Sequence, residues 1–231
     1  MILSENHLMI REMARQFAEK ELTREVLDEA EATNSFRKSV LDHMVQAGLT
    51  SIKIPEEYMS NPNSLGSGPL LINGTEEQKR YYIPKLATLE KRMCFALSEP
   101  GAGSDAGSII TRAVRDGDSY VISGSKCFIS GATIADYAVV FAKTDPEQGV
   151  RGISAFIVDL KLPGVILGKP ERKMGLIGYP IGDIVLEDVR VPAENMLGEE
   201  NRGFTNAMKT LDDWALRRRR SAWRRAAWTR P

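Results

Sequence analysis

Residues 94–105 read Cys-Phe-Ala-Leu-Ser-Glu-Pro-Gly-Ala-Gly-Ser-Asp, a short apolar run that breaks into a turn with glycines at 101 and 103 and ends on Ser104 and Asp105. Glycine has no Cβ, so the backbone at Gly101 and Gly103 is free to take positive φ and approach a ligand closely, with main-chain N–H groups converging on an anion. The Ser104 hydroxyl would add one more donor. The chemistry this spacing serves is the cradling of a phosphate-bearing ligand, and the plainer reading beside it is a glycine turn between two strands. The bare pattern Gly101-x-Gly103-x-x-Ala106 also fits a loose dinucleotide fingerprint, which requires a helix to follow. Residues 108–114, Ser-Ile-Ile-Thr-Arg-Ala-Val, are β-rich and lack helical periodicity, so no helix N-terminus stands ready for a pyrophosphate.

Other reactive groups are sparse. Glu99 and Asp105 lie inside the turn string, where a carboxylate is expected to cap backbone N–H groups rather than act as a base. His7 and His43 fall in helical patterns and read as solvated helix residues. Cys94 and Cys127 sit in predicted strands, where buried, inert thiols are expected rather than a bridge. No metal-ligand spacing and no Ser–His arrangement is visible. Asn73-Gly-Thr75 has the form of a glycosylation sequon but reads more simply as a turn and a helix cap.

Three zones would position these residues. Residues 1–90 are helical: Ile10, Met13, Ala14, Phe17 and Ala18 share one stripe, and Phe36, Val40, Leu41, Met44 and Val45 share a second that stops at Gly48. Thr75 and Gln78 have capping-box spacing for a further helix. Residues 91–198 are β, with runs at 120–122, 138–141 and 184–186 and a hairpin turn at Asp116-Gly117. Residues 199–231 begin a helical pattern at Phe204, Met208 and Leu211 that is not expected to continue.

The bulk composition is that of a soluble chain able to bury a core. Its 31 Lys and Arg balance 31 Asp and Glu over 231 residues, so no global field favours nucleic acid. No apolar run approaches a bilayer span and no secretory leader is seen, so a cytoplasmic location, or the mitochondrial matrix in a eukaryote, is expected. The average hides a bias, because residues 214–231 hold all three tryptophans and seven arginines. Two readings of that stretch stand: an arm for nucleic acid, and a foreign tail produced by a reading-frame change after Asp212.

The string from Phe95 to Asp105 resembles the flavin-binding signature of the acyl-CoA dehydrogenase family. A second string, Gly124-Ser-Lys-Cys-Phe128-Ile129-Ser130-Gly131, resembles that family's second flavin motif, where members commonly carry Trp and Thr at the places of Phe128 and Ser130. Residues 152–159 and 186–198 agree with the resemblance, which runs with one gap from about residue 4 to Asp212. It implies an α+β flavoprotein with an N-terminal helical region, a middle β-barrel-like domain and a C-terminal helical bundle. It implies FAD held by Phe95, Ala96, Leu97, Ser98, Glu99, Pro100, Gly101, Ala102, Gly103, Ser104, Phe128, Ile129 and Ser130, with Ser104 and Asp212 toward an acyl-CoA substrate. It also implies α,β-desaturation of an acyl-CoA thioester, electron-transfer flavoprotein as electron acceptor, and a tetramer.

Two departures from the family pattern qualify those expectations. After residue 58 one or two family helices have no counterpart, so neighbouring apolar stripes should be left exposed and acyl-chain preference is unreadable. Beyond Asp212 the family's arginine is replaced by Ala215, and the bundle that carries the catalytic glutamate has no counterpart, so impaired catalysis is expected. The alternatives are a non-catalytic flavin- or CoA-binding module, and nucleic-acid binding through the arginine-rich tail.

Overall fold

The computed structural model describes residues 5–33, 35–51, 65–175 and 178–220, with the side chains of residues 6, 7, 51 and 213–220 left aside. The junction after residue 58 and the tail at residues 221–231 lie outside the described residues.

The N-terminal part is helical, as its stripes predict. Helix α1 (Glu5–Glu21) half-buries the expected stripe of Ile10, Met13, Ala14, Phe17 and Ala18. Helix α2 (Arg24–Thr33) was not foreseen; its apolar contribution is only Val26 and Ala30, too thin a stripe to stand out among charges. Helix α3 (Lys38–Gln46) carries the second stripe, with Phe36 just ahead of its first turn, and Gly48 follows its end at φ +66°, the left-handed stop that glycine takes without strain. Helix α4 (Ser67–Asn73), also unforeseen, ends at Gly74, and α5 (Glu76–Ala87) starts from the Thr75–Gln78 capping box with both reciprocal hydrogen bonds formed. The Asn73-Gly-Thr75 segment is therefore a turn and a cap.

The middle zone is one curled seven-stranded sheet. Its strands are β1 (Met93–Ala96), β2 (Arg112–Asp116), β3 (Ser119–Ser130), β4 (Tyr137–Lys143), β5 (Ile153–Asp159), β6 (Val165–Leu167) and β7 (Ile181–Pro192), in the order β1-β4-β2-β3-β7-β6 with β5 on the other edge of β4. The β2–β3 pair turns at Asp116-Gly117 as expected, with Asp116 opposite Ser119. Strand β4 is buried on both faces. Ala138, Val140 and Ala142 enter one apolar cluster with Ile122, Phe156 and Ile184, while Val139 and Phe141 enter a second with Leu70, Ile83, Leu86 and Ala207 from the covering helices. That alternation is the two-residue period of a strand sandwiched between two cores.

Helix α6 (Gly203–Arg220) lies against this second cluster through Phe204, Met208 and Leu211. The helix continues to Arg220, a correction to the expected stop. Ala, Leu and Arg are all strong helix formers, so the backbone stays helical where the apolar stripe ends. Between α3 and the start of β1 lies an apolar cavity of about 280 Å³, bordered by Phe36, Leu41, Met44, Leu86, Leu89 and Tyr179.

Among the described residues no helix is long and apolar enough to cross a membrane. Cys94 and Cys127 are buried free thiols, and burial pushes Cys94 up to about 12 and Cys127 above its ordinary value. His43 is exposed, with Nδ1 2.7 Å from Glu21 Oε2.

Candidate functional site

Strand β1 delivers the chain to a two-residue turn. The N–H of Glu99 donates to the carbonyl of Ala102 at 3.1 Å and the N–H of Ala102 donates back at 3.0 Å, with Pro100 and Gly101 at the tip. Proline presets the first φ of such a turn. Neither Gly101 nor Gly103 adopts positive φ, which corrects the reason first given for them. A turn whose second central residue keeps negative φ accepts any residue there, so the backbone does not by itself demand glycine. A Cβ at either position would meet no atom within 4 Å, so the space beside both glycines is open. The turn uses the N–H groups of Glu99 and Ala102; among the described residues those of Gly101, Gly103 and Ser104 meet no acceptor. The Ser104 side chain is exposed, while the Asp105 carboxylate accepts the Ser108 hydroxyl.

Strand β3 brings in the second string. Its pairing with β7 slips between Lys126 and Ile129, and Phe128 at the slip has φ +55°, a conformation that costs a bulky residue free energy. The slip turns the Phe128 ring outward, 71% exposed, while its N–H donates to Asp183 Oδ1 at 3.3 Å. Ile129 then points into the core and Ser130 stays exposed. The two strings are joined directly: the N–H of Cys127 donates to the carbonyl of Ser98 at 3.0 Å.

Beneath that junction lies a buried ion pair that the sequence did not reveal. Lys126 Nζ is 2.7 Å from Glu99 Oε1, with both side chains almost wholly excluded from solvent. The ammonium also donates to the carbonyls of Leu97 at 3.2 Å and Phe141 at 2.6 Å, which accounts for its three N–H bonds. Glu99 further accepts from the N–H of Ile110 at 2.6 Å, the N–H of Thr111 at 3.1 Å and the Thr111 hydroxyl at 2.5 Å. Burial would raise the Glu99 carboxyl, but the Lys126 charge and these donors outweigh it and hold the group below its ordinary value. Burial pushes Lys126 down to about 8, against the pull of Glu99. The expectation that Glu99 caps N–H groups therefore holds.

The expected residues thus divide by what they show to solvent. Pro100, Gly101, Gly103, Ser104, Phe128 and Ser130 are exposed, and Ser98 and Phe95 are half-buried, Phe95 with its ring 4.9 Å from that of Phe141. Ala96, Leu97, Glu99, Ala102 and Ile129 are buried and could offer only backbone groups. Asp212 is exposed on α6, one residue past Leu211, which packs on the cluster containing Leu97 and Ala102. Unspent N–H groups beside open space in one string, and an exposed aromatic ring and hydroxyl in the string hydrogen-bonded to it, suit a ligand with both a diphosphate and a flat heterocycle. The residues present fit FAD.

Comparison with known proteins agrees with this arrangement. The family model described as "Acyl-CoA dehydrogenase, middle domain" matches residues 94–189, and "Acyl-CoA dehydrogenase, N-terminal domain" matches residues 4–60. The chain belongs to the acyl-CoA dehydrogenase family. Among its curated relatives, "Caffeyl-CoA reductase-Etf complex subunit CarC" of Acetobacterium woodii is 51% identical over 239 residues, covering 92% of this chain and 63% of that protein. The mitochondrial short-chain specific acyl-CoA dehydrogenase of Bos taurus is 39% identical, covering 91% and 57%. The structure of butyryl-CoA dehydrogenase from Megasphaera elsdenii superimposes with a TM-score of 0.82 at 33% identity, over 92% of this chain and 63% of that one. The chain therefore spans less than two thirds of the length of these acyl-CoA dehydrogenase relatives. The first alignment runs over more positions than this chain has residues while using only part of the chain, so that relative carries an insertion this family member lacks.

Proposed function

We propose that this chain holds FAD on the surface formed by residues 98–104 and 128–130, and that it descends from enzymes interconverting acyl-CoA and enoyl-CoA thioesters. The observation that supports this reading is the Cys127–Ser98 hydrogen bond, which joins the string carrying the glycine turn to the strand carrying the outward Phe128 ring. The N–H groups of Gly101, Gly103 and Ser104 would take the diphosphate, and Phe128 and Ser130 would border the ring system. When bound, FAD supplies the acceptor for hydride from the β-carbon of a thioester.

The reading extends to partners and turnover. The names of the relatives support an acyl-CoA-type substrate and electron-transfer flavoprotein as redox partner; Ser104 and Asp212 are proposed to lie toward the coenzyme A portion. Glu99 is ion-paired to Lys126, buried, and already accepts from Ile110 and Thr111, so we infer that it holds the turn and does not remove an α-proton. The divisions at residues 90 and 198 are proposed as the ends of the helical and β units.

Titration of the purified chain with FAD tests the reading. Saturable binding that quenches flavin fluorescence and resolves its visible absorbance is expected; free-flavin spectra at every ratio would refute it.

A further inference from the structure

The geometry points to Lys126 and Glu99 as a positioning pair, a buried clamp that holds the turn at residues 98–104 and the bulge at Phe128 in fixed register. This inference rests on the flavin reading for its functional meaning, while the clamp itself is a property of the chain. Lys126 stands on β3 one residue before the Cys127–Ser98 link, and its ammonium ties Leu97 at the end of β1, Phe141 on β4 and the Glu99 carboxylate. Glu99 in turn fastens the N–H groups of Ile110 and Thr111, which enter β2. One cation and one anion therefore meet four stretches of chain that are distant in sequence.

A buried pair of this kind is weak evidence for stability, because desolvating two charges cancels much of their attraction, and apolar replacements of similar size are often tolerated. Its geometric content is different. Each bond has a fixed length and direction, so the pair permits one arrangement where an apolar filler would permit several. The arrangement it permits exposes what an anionic, ring-bearing ligand needs: N–H groups of Gly101, Gly103 and Ser104 that meet no acceptor among the described residues, and a ring at Phe128 held in a costly backbone conformation. Gly124 tightens the same junction, since a Cβ there would come 2.7 Å from the Thr111 Cα.

The test compares the full chain with the Glu99→Gln/Lys126→Met double variant, which removes both charges together, and with Glu99→Gln alone. Hydrogen exchange in the absence of ligand and FAD titration are the two readouts. Supporting the clamp, the amides of Ile110, Thr111 and Cys127 exchange about tenfold faster in the double variant while Val140 and Phe156 keep their protection, and FAD affinity falls about tenfold. Unchanged protection at those three amides, or FAD affinity kept within about twofold, overturns it. Should the double variant fail to fold, Glu99→Gln decides by the same amides, because it keeps the shape of the side chain. If the unaltered chain takes up no FAD, the flavin reading falls, and the exchange pattern alone then supports or overturns the clamp.

Discussion

Lys126 Nζ and Glu99 Oε1 stand 2.7 Å apart, although 27 positions separate them along the chain, and neither side chain is open to water. Removing one partner leaves the other charge buried and alone. Lys126→Met should therefore cost about 3 kcal/mol or more in urea unfolding, and the Glu99→Gln/Lys126→Met pair should recover a substantial part of it. A double variant no more stable than the single one would contradict this.

Glu99 also sets an acid limb. Its folded carboxyl lies below the ordinary value of 4.5, so between those two pH values the unfolded chain binds more protons than the folded one. Its contribution is full above about pH 4.5 and is lost as pH falls through the lowered folded value. Acid titration of Glu99→Gln should show a flatter loss of stability over that range than the parent chain.

Three glycines of the two strings, Gly101, Gly103 and Gly124, should separate fold from binding. Gly124, at φ +155° and packed on Thr111, should lose about 1–3 kcal/mol on Gly124→Ala. Gly101→Ala and Gly103→Ala face open space at negative φ and should leave stability unchanged, or higher by about 0.5 kcal/mol, while weakening FAD binding. Thermal melts and flavin titrations of the three variants check the contrast.

Phe128 offers the same separation in one residue. Phe128→Gly relieves a left-handed conformation and removes little buried area, so stability should rise by about 1 kcal/mol while flavin affinity falls. Stability lost in step with affinity would mean that the ring is a packing residue.

The α5 cap joins helix to sheet. Thr75→Ala should cost about 1 kcal/mol in unfolding experiments. Gln78→Ala should cost more, because its amide also donates to the carbonyls of Glu194 at 2.8 Å and Met196 at 3.0 Å.

The sequence made some elements easy to read. The Asp116-Gly117 hairpin, the capping box and the buried runs of β4 carry strong local signals, and the two strings were recognisable from their residues. Helix α2 hid because Val26 and Ala30 are its only buried apolar contacts, and the helix beyond Asp212 hid because a stripe was sought where propensity alone carries the backbone. Lys126 is not legible as a buried cation because a lysine in a strand reads as solvent-facing, and only the slip after it places Lys126 and Cys127 both inward. The single available signal was a charge set between Gly124 and an apolar run, with a carboxylate in the other string. The negative φ of Gly101 and Gly103 is not legible because openness toward a ligand and freedom of φ look alike in sequence.

The most direct measurement is a titration of the 231-residue chain with FAD, followed by flavin fluorescence and visible circular dichroism, beside Phe128→Gly and Gly103→Ala. The account predicts saturable binding with an induced visible signal in the parent chain and weaker binding in both variants at undiminished stability. Flavin that stays free in the parent chain, or binds equally well to all three, would contradict it.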